Sequence, residues 1–173
     1  MAALALKPEF RSDQQITADF LAYLQSESSA RVSYEVEPSR LTGGLDARLY
    51  RYKLIDQEPR VLRVLRPARQ AEELMYLQQV HQTLSQHGLK APVIRHVCGD
   101  KSVLGGVFAV MDLMPGEPLF EQKPEVFPLV LGESMARMHE LDVGPIVDSF
   151  RRDGVPDERF FKLFSLSNSV GLF

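Results

Sequence analysis

Apolar positions change their spacing several times along the chain, and each change marks an element. Ile16, Phe20, Leu21 and Leu24 recur at intervals of three and four, which predicts a first helix with Asp13 and Thr17 as candidate N-caps, ending in the polar Ser26 to Ser29. Three extended segments follow, Val32 to Leu41, Ala47 to Leu54 and Arg60 to Leu65. Gly43-Gly44 separates the first two and Asp56-Gln57-Glu58-Pro59 the second two. Ala68 to Gln86 has no Gly or Pro and is rich in Glu, Leu, Gln and Met, a composition that favours one long helix stopped at Gly88. Two more strands are predicted, Val93 to Val97 and Val103 to Asp112, the second an unbroken apolar run suited to burial on both faces. After the break at "MPGEPL", Val126 to Leu141 returns to helical spacing, with Gly132 its weak point.

The order helix, three strands, helix, two strands, connector, helix defines an α+β chain. The connections between the first three strands are too short for a parallel crossover, so a five-stranded antiparallel sheet is expected, with one long helix inserted between strands three and four. The expected divisions are a helical extension over 1–30, the sheet domain over 31–112, a connector over 113–120 and the beginning of a helical region over 121–173.

Composition narrows the setting. The formal net charge is −3 and the isoelectric point about 5.8, so the chain lacks the basic field that draws proteins to nucleic acid or anionic membranes. Neither partner is expected. Cys98 is the single cysteine, which rules out an intramolecular disulfide and a cysteine-based metal cluster, and suits a reducing cytoplasm. The apolar opening meets Lys7-Pro8-Glu9 too early for a signal-peptide core, and Val103 to Met111 is too short to span a bilayer.

Three features could carry chemistry. Gly43-Gly44 is either a turn needing positive φ or a loop whose exposed amides approach phosphate oxygens, and it matches neither G-x-x-x-x-G-K-[ST] nor G-x-G-x-x-G. In "RVLRVLR", alternation puts Arg63 on a face with Val61 and Leu65, a cation among apolar neighbours that needs an anion. Glu73 begins a stripe continued by Leu77, Val80 and Leu84, which points it inward and Glu72 outward. Arg63 and Glu73 are thus either a structural salt bridge or the strand-cation and helix-carboxylate pair that positions nucleotide phosphates. The run "FAVMDLMPGEPL" is an apolar strand entering a Pro-Gly connector, whose main-chain groups suit a planar base.

Taken in order, these stretches resemble the N-terminal part of the aminoglycoside phosphotransferase family, also called the phosphotransferase-enzyme or choline-kinase-like family, within the protein-kinase-like fold. "LTGGLDARLYRYKL" is similar to its glycine-containing hairpin, "VLRV" to its nucleotide-anchoring strand and "AEELMYLQQV" to its glutamate helix. "FAVMDLMPGEPL" resembles the hinge and "LGESMARMHELD" the first long helix of the C-terminal lobe. The resemblance covers about Ile16 to Asp142. It implies a kinase-like N-lobe binding ATP, with Gly43 and Gly44 over the phosphates, Arg63 as phosphate anchor and Glu73 as its partner. Met111 would stand as gatekeeper beside adenine, with the main chain of Asp112 and Met114 bonding the base edge. Arg63 stands where lysine is better known, a planar fork in place of a point charge, and the choice between ATP and GTP stays open.

The family's H-G-D…N loop and later metal-binding Asp are not found; none of His81, His87, His96 and His139 precedes Gly-Asp. His139 ends a helix and reads as a packing or capping residue. Phe150, Phe160, Phe161, Phe164 and Phe173 make the last residues strongly apolar, as at a surface that meets a partner chain or a missing lobe. The expectation is therefore a truncated piece of a two-lobed kinase that uses Mg2+ and ATP to phosphorylate a small-molecule hydroxyl, itself inactive. A non-catalytic nucleotide-binding or interaction module is the alternative.

Overall fold

The computed structural model describes residues 10–29, 31–41, 46–116, 125–140, 142–152 and 154. Gly43, Gly44 and the phenylalanines after Phe150 lie outside them. The chain divides into two compact units, Met1–Met114 and Pro115–Phe173.

The first unit contains helix α1 (Asp13–Glu27), strands β1 (Tyr34–Leu41), β2 (Ala47–Leu54) and β3 (Arg60–Leu65), helix α2 (Ala71–Gln86), strand β4 (Ile94–Cys98), the one-turn helix α3 (Lys101–Leu104) and strand β5 (Phe108–Asp112). The five strands form one antiparallel sheet in the order β1-β2-β3-β5-β4. Because β3 and β4 both run antiparallel to β5, they are parallel to each other. A crossover is needed between them, and α2 supplies it.

Period-two alternation in β2 and β3 sends side chains to two separate cores. Tyr50, Tyr52, Leu54, Leu62, Val64, Phe108 and Val110 pack with Ile16 and Phe20 of α1. Phe20 is 1% exposed and meets Tyr52 and Phe108 edge-on, at centroid separations of 5.1 and 5.8 Å. On the opposite face Ala47, Val61, Leu65, Ala109 and Met111 pack with Leu74 of α2. With helices on both sides, β5 is buried at Phe108, Ala109, Val110 and Met111, as its unbroken apolar run predicts.

The helix starts differ from expectation for local reasons. Ser12 caps α1, its hydroxyl accepting from the Gln15 amide at 3.2 Å. Asp13 instead ties α1 to β2: its Oδ1 accepts from the Arg48 guanidinium at 2.8 Å and the Tyr50 hydroxyl at 2.7 Å. The Tyr50 hydrogen bond, helped by Arg48 and Arg40, holds the Asp13 carboxyl below its ordinary range. Helix α2 begins at Ala71, three residues late, because residues 66–69 form a turn closed by the Arg69 amide on the Arg66 carbonyl at 2.9 Å. The strand predicted from Val103 is replaced at its start by α3, capped by Asp100 and ended by Gly105 at φ +79°.

The second unit contains α4 (Val126–His139) and α5 (Val143–Arg152). Helix α5 falls within the helical region expected over 121–173, though no span was predicted for it. Phe127, Leu129, Val130 and Met135 of α4 are exposed, His139 is exposed at its end, and Phe150 of α5 is buried. No helix among the described residues is long and apolar enough to cross a membrane.

Candidate functional site

The site builds on the α2 face of the sheet. Leu49, Arg63, Ala109 and Val97 stand opposite one another on successive strands, so Arg63 is the cation in an otherwise apolar row. The neighbouring row brings Val61 opposite Met111 and Met111 opposite Ile94. Arg63 and Met111, predicted separately, therefore share one face two strand positions apart.

Arg63 is held in an unusual state. Its Nε is buried with no hydrogen-bond partner, and no ion pair to Arg63 occurs among the described residues. Desolvation lowers its pKa, and the charge of Asp46 opposes that shift. A guanidinium remains charged under such a shift, so the direction reports the cost of taking a cation out of water. Leaving a buried donor unbonded costs about 1–3 kcal/mol, and a native structure that carries such a group calls for an explanation.

Glu73 is not the partner the helical stripe predicts. Its side chain is 43% exposed and bonds Arg69 at 3.0 Å, while its other oxygen accepts from the Gln70 amide at 3.2 Å at the helix start. Leu74 and His81 take the inward positions. Two stripes compete in α2, one through 73, 77, 80 and 84 and the other through 74, 77, 81 and 84. They share Leu77 and Leu84, and hydropathy alone favours Val80 over His81. Burial of His81 becomes acceptable because Nδ1 meets the Pro92 carbonyl at 2.8 Å. Desolvation still lowers the His81 pKa, the Pro92 bond opposing and the charge of Arg63 adding to it.

At the end of β5 the Asp112 amide donates to the Val93 carbonyl at 2.9 Å. Its carboxylate receives Arg95 of β4 through two bonds, Nε at 2.9 Å and Nη2 at 2.7 Å. That fork holds the Asp112 carboxyl below its ordinary range and ties the strand end to β4. Met114 follows, exposed.

Sequence reading missed Asp46, Arg69, His81 and Arg95. Asp46 accepts from Nη2 of Arg69, and Arg66 Nε lies 3.7 Å from its other oxygen. The signal available was the charge run Arg60, Arg63, Arg66, Arg69 at intervals of three, but the carboxylate that gathers Arg66 and Arg69 lies 20 and 23 residues earlier.

These features define an α+β unit, a five-stranded antiparallel sheet with a partnerless Nε of Arg63 on its α2 face among the described residues. A model of the phosphotransferase enzyme family matches residues 37–164, most of the chain, and the chain belongs to that family. No curated protein matches it. Among solved structures it is similar to a provisionally named aminoglycoside phosphotransferase from Ralstonia eutropha JMP134, at 17% identity and a TM-score of 0.43. That similarity covers 63% of this chain and 29% of the other.

Proposed function

We propose that this chain is the ATP-binding part of a cytoplasmic small-molecule kinase, a phosphotransferase that moves the γ-phosphoryl group to a hydroxyl. The observation that carries the reading is Arg63, a cation with a buried, unbonded Nε on the same sheet face as Val61 and Met111. A phosphate oxygen would satisfy that donor and offset the desolvation of the charge. Apolar Val61 and Met111 would lie against the base, with the Asp112 carbonyl and the Met114 main chain at its edge. Gly43 and Gly44 would complete the phosphate end through their amides. Glu73 takes no direct part in this reading.

Family membership supports phosphoryl transfer as the chemistry. When bound, magnesium would shield the phosphate charge, but no group of three or more Asp, Glu, His or Cys side chains is placed to hold a metal among the described residues. With no His-Gly-Asp in the sequence, the chain is expected to bind nucleotide without transferring it.

Thermal denaturation of the 173-residue chain with and without Mg-ATP tests the reading. A ligand at a hundredfold excess over Kd adds about 2.7 kcal/mol of stability. Absence of any shift at millimolar Mg-ATP or Mg-GTP, in a folded sample, would refute nucleotide binding.

A further inference from the structure

The turn between β3 and α2 carries two guanidiniums to one carboxylate. Asp46, just before β2, is contacted by Arg66 at 3.7 Å and bonded by Arg69, and the Arg66 amide also donates to the Asp46 carbonyl at 3.3 Å. Arg69 uses its second nitrogen for Glu73. Arg63 has no ion pair among the described residues, although the charge of Asp46 favours the Arg63 cation.

We propose that Arg66 and Arg69 are positioning residues that keep Asp46 engaged at the start of β2, so that the Arg63 guanidinium stays open to a ligand phosphate. The inference rests on the nucleotide-binding reading above. Its physical basis is competition for one cation. An Asp46 carboxylate released from both surface arginines would be drawn toward the desolvated charge of Arg63, because attraction strengthens as water is excluded. It would then occupy or repel the place of an incoming anion. Each surface pair is weak by itself, with side chains 37–48% exposed, but two cations on one carboxylate restrict where it can go.

Isothermal titration of the 173-residue chain with Mg-ATP, inorganic tripolyphosphate and adenosine tests this. The R66Q/R69Q variant should bind Mg-ATP and tripolyphosphate about tenfold more weakly, with adenosine unchanged, and adding D46N should bring both back to within about twofold of the original. Rescue is the discriminating result, because D46N cannot restore a structural tie that it also removes. Unchanged affinity in R66Q/R69Q, or failure of D46N to rescue it, overturns the proposal. D46N alone is the second variant, needed if the double arginine variant does not fold. It should bind Mg-ATP at least as tightly as the original chain, and a loss overturns the proposal. If the original chain binds no Mg-ATP at all, the nucleotide reading fails first and this inference falls with it, an outcome distinct from failed rescue.

Discussion

Replacing Arg63 by methionine should make the unliganded protein more stable and abolish its response to nucleotide. The exchange keeps an unbranched chain of similar length between Leu49 and Ala109 and removes the buried Nε that has no partner. Relief of an unsatisfied buried donor is worth about 1–3 kcal/mol, and the apolar stem contacts are largely retained, so a gain of about 1–2 kcal/mol is expected. For a chain of this size each kcal/mol moves Tm by about 2–4 °C, which predicts a rise of about 2–8 °C. Urea denaturation monitored by circular dichroism gives the stability difference, and the same samples heated with Mg-ATP give the ligand response. Opposite signs in the two measurements mark a residue kept for binding at a cost in stability. A less stable Arg63→Met variant that still responds to Mg-ATP would refute the reasoning, since Arg63 would then be a structural cation with a partner of its own.

Phe20→Ala removes the ring that joins α1 to Tyr52 and Phe108, and should cost about 3–5 kcal/mol in chemical denaturation. Gly106→Ala would drive a Cβ into the carbonyl oxygen of Leu65 on β3, a strand hydrogen-bonded on both sides; a loss of about 1–3 kcal/mol is expected, and an unchanged denaturation midpoint would contradict it. His81 supplies a pH dependence. Its folded pKa lies below the ordinary 6.5, so the unfolded chain binds more protons between the two values; this contribution to stability is complete above about pH 6.5 and declines as pH falls below it. His81→Gln should flatten the acid side of a Tm-against-pH curve, and an identical slope would remove His81 as its source.

Much of the sheet could be read from residue order because its pattern is local. Alternation and turn residues place β2 at Ala47–Leu54 and β3 at Arg60–Leu65, the spans observed, and the apolar run through Phe108 to Met111 correctly implies a strand covered on both faces. The same alternation puts Arg63 beside Val61 and Leu65. A period of two admits two faces only, so one residue assigns the rest. Helix α2 lacks that economy. Each residue turns the direction by about 100°, the stripe is thin, and Glu73 and Leu74 are both compatible with Leu77 and Leu84. Only packing against the sheet selects Leu74 and His81, and leaves Glu73 to Arg69 at the surface.

Residue order alone therefore determined β2 and β3, the antiparallel meander of the first three strands, a cation at position 63 among apolar neighbours and the family to which the chain belongs. Tertiary structure decided what that cation touches. Asp46 meets Arg69 from 23 positions away, and Arg95 meets Asp112 from 17. Such pairs depend on the sheet order β1-β2-β3-β5-β4 and on the turn before α2, and a charge acts through distance in space, which hydrophobic periodicity does not encode.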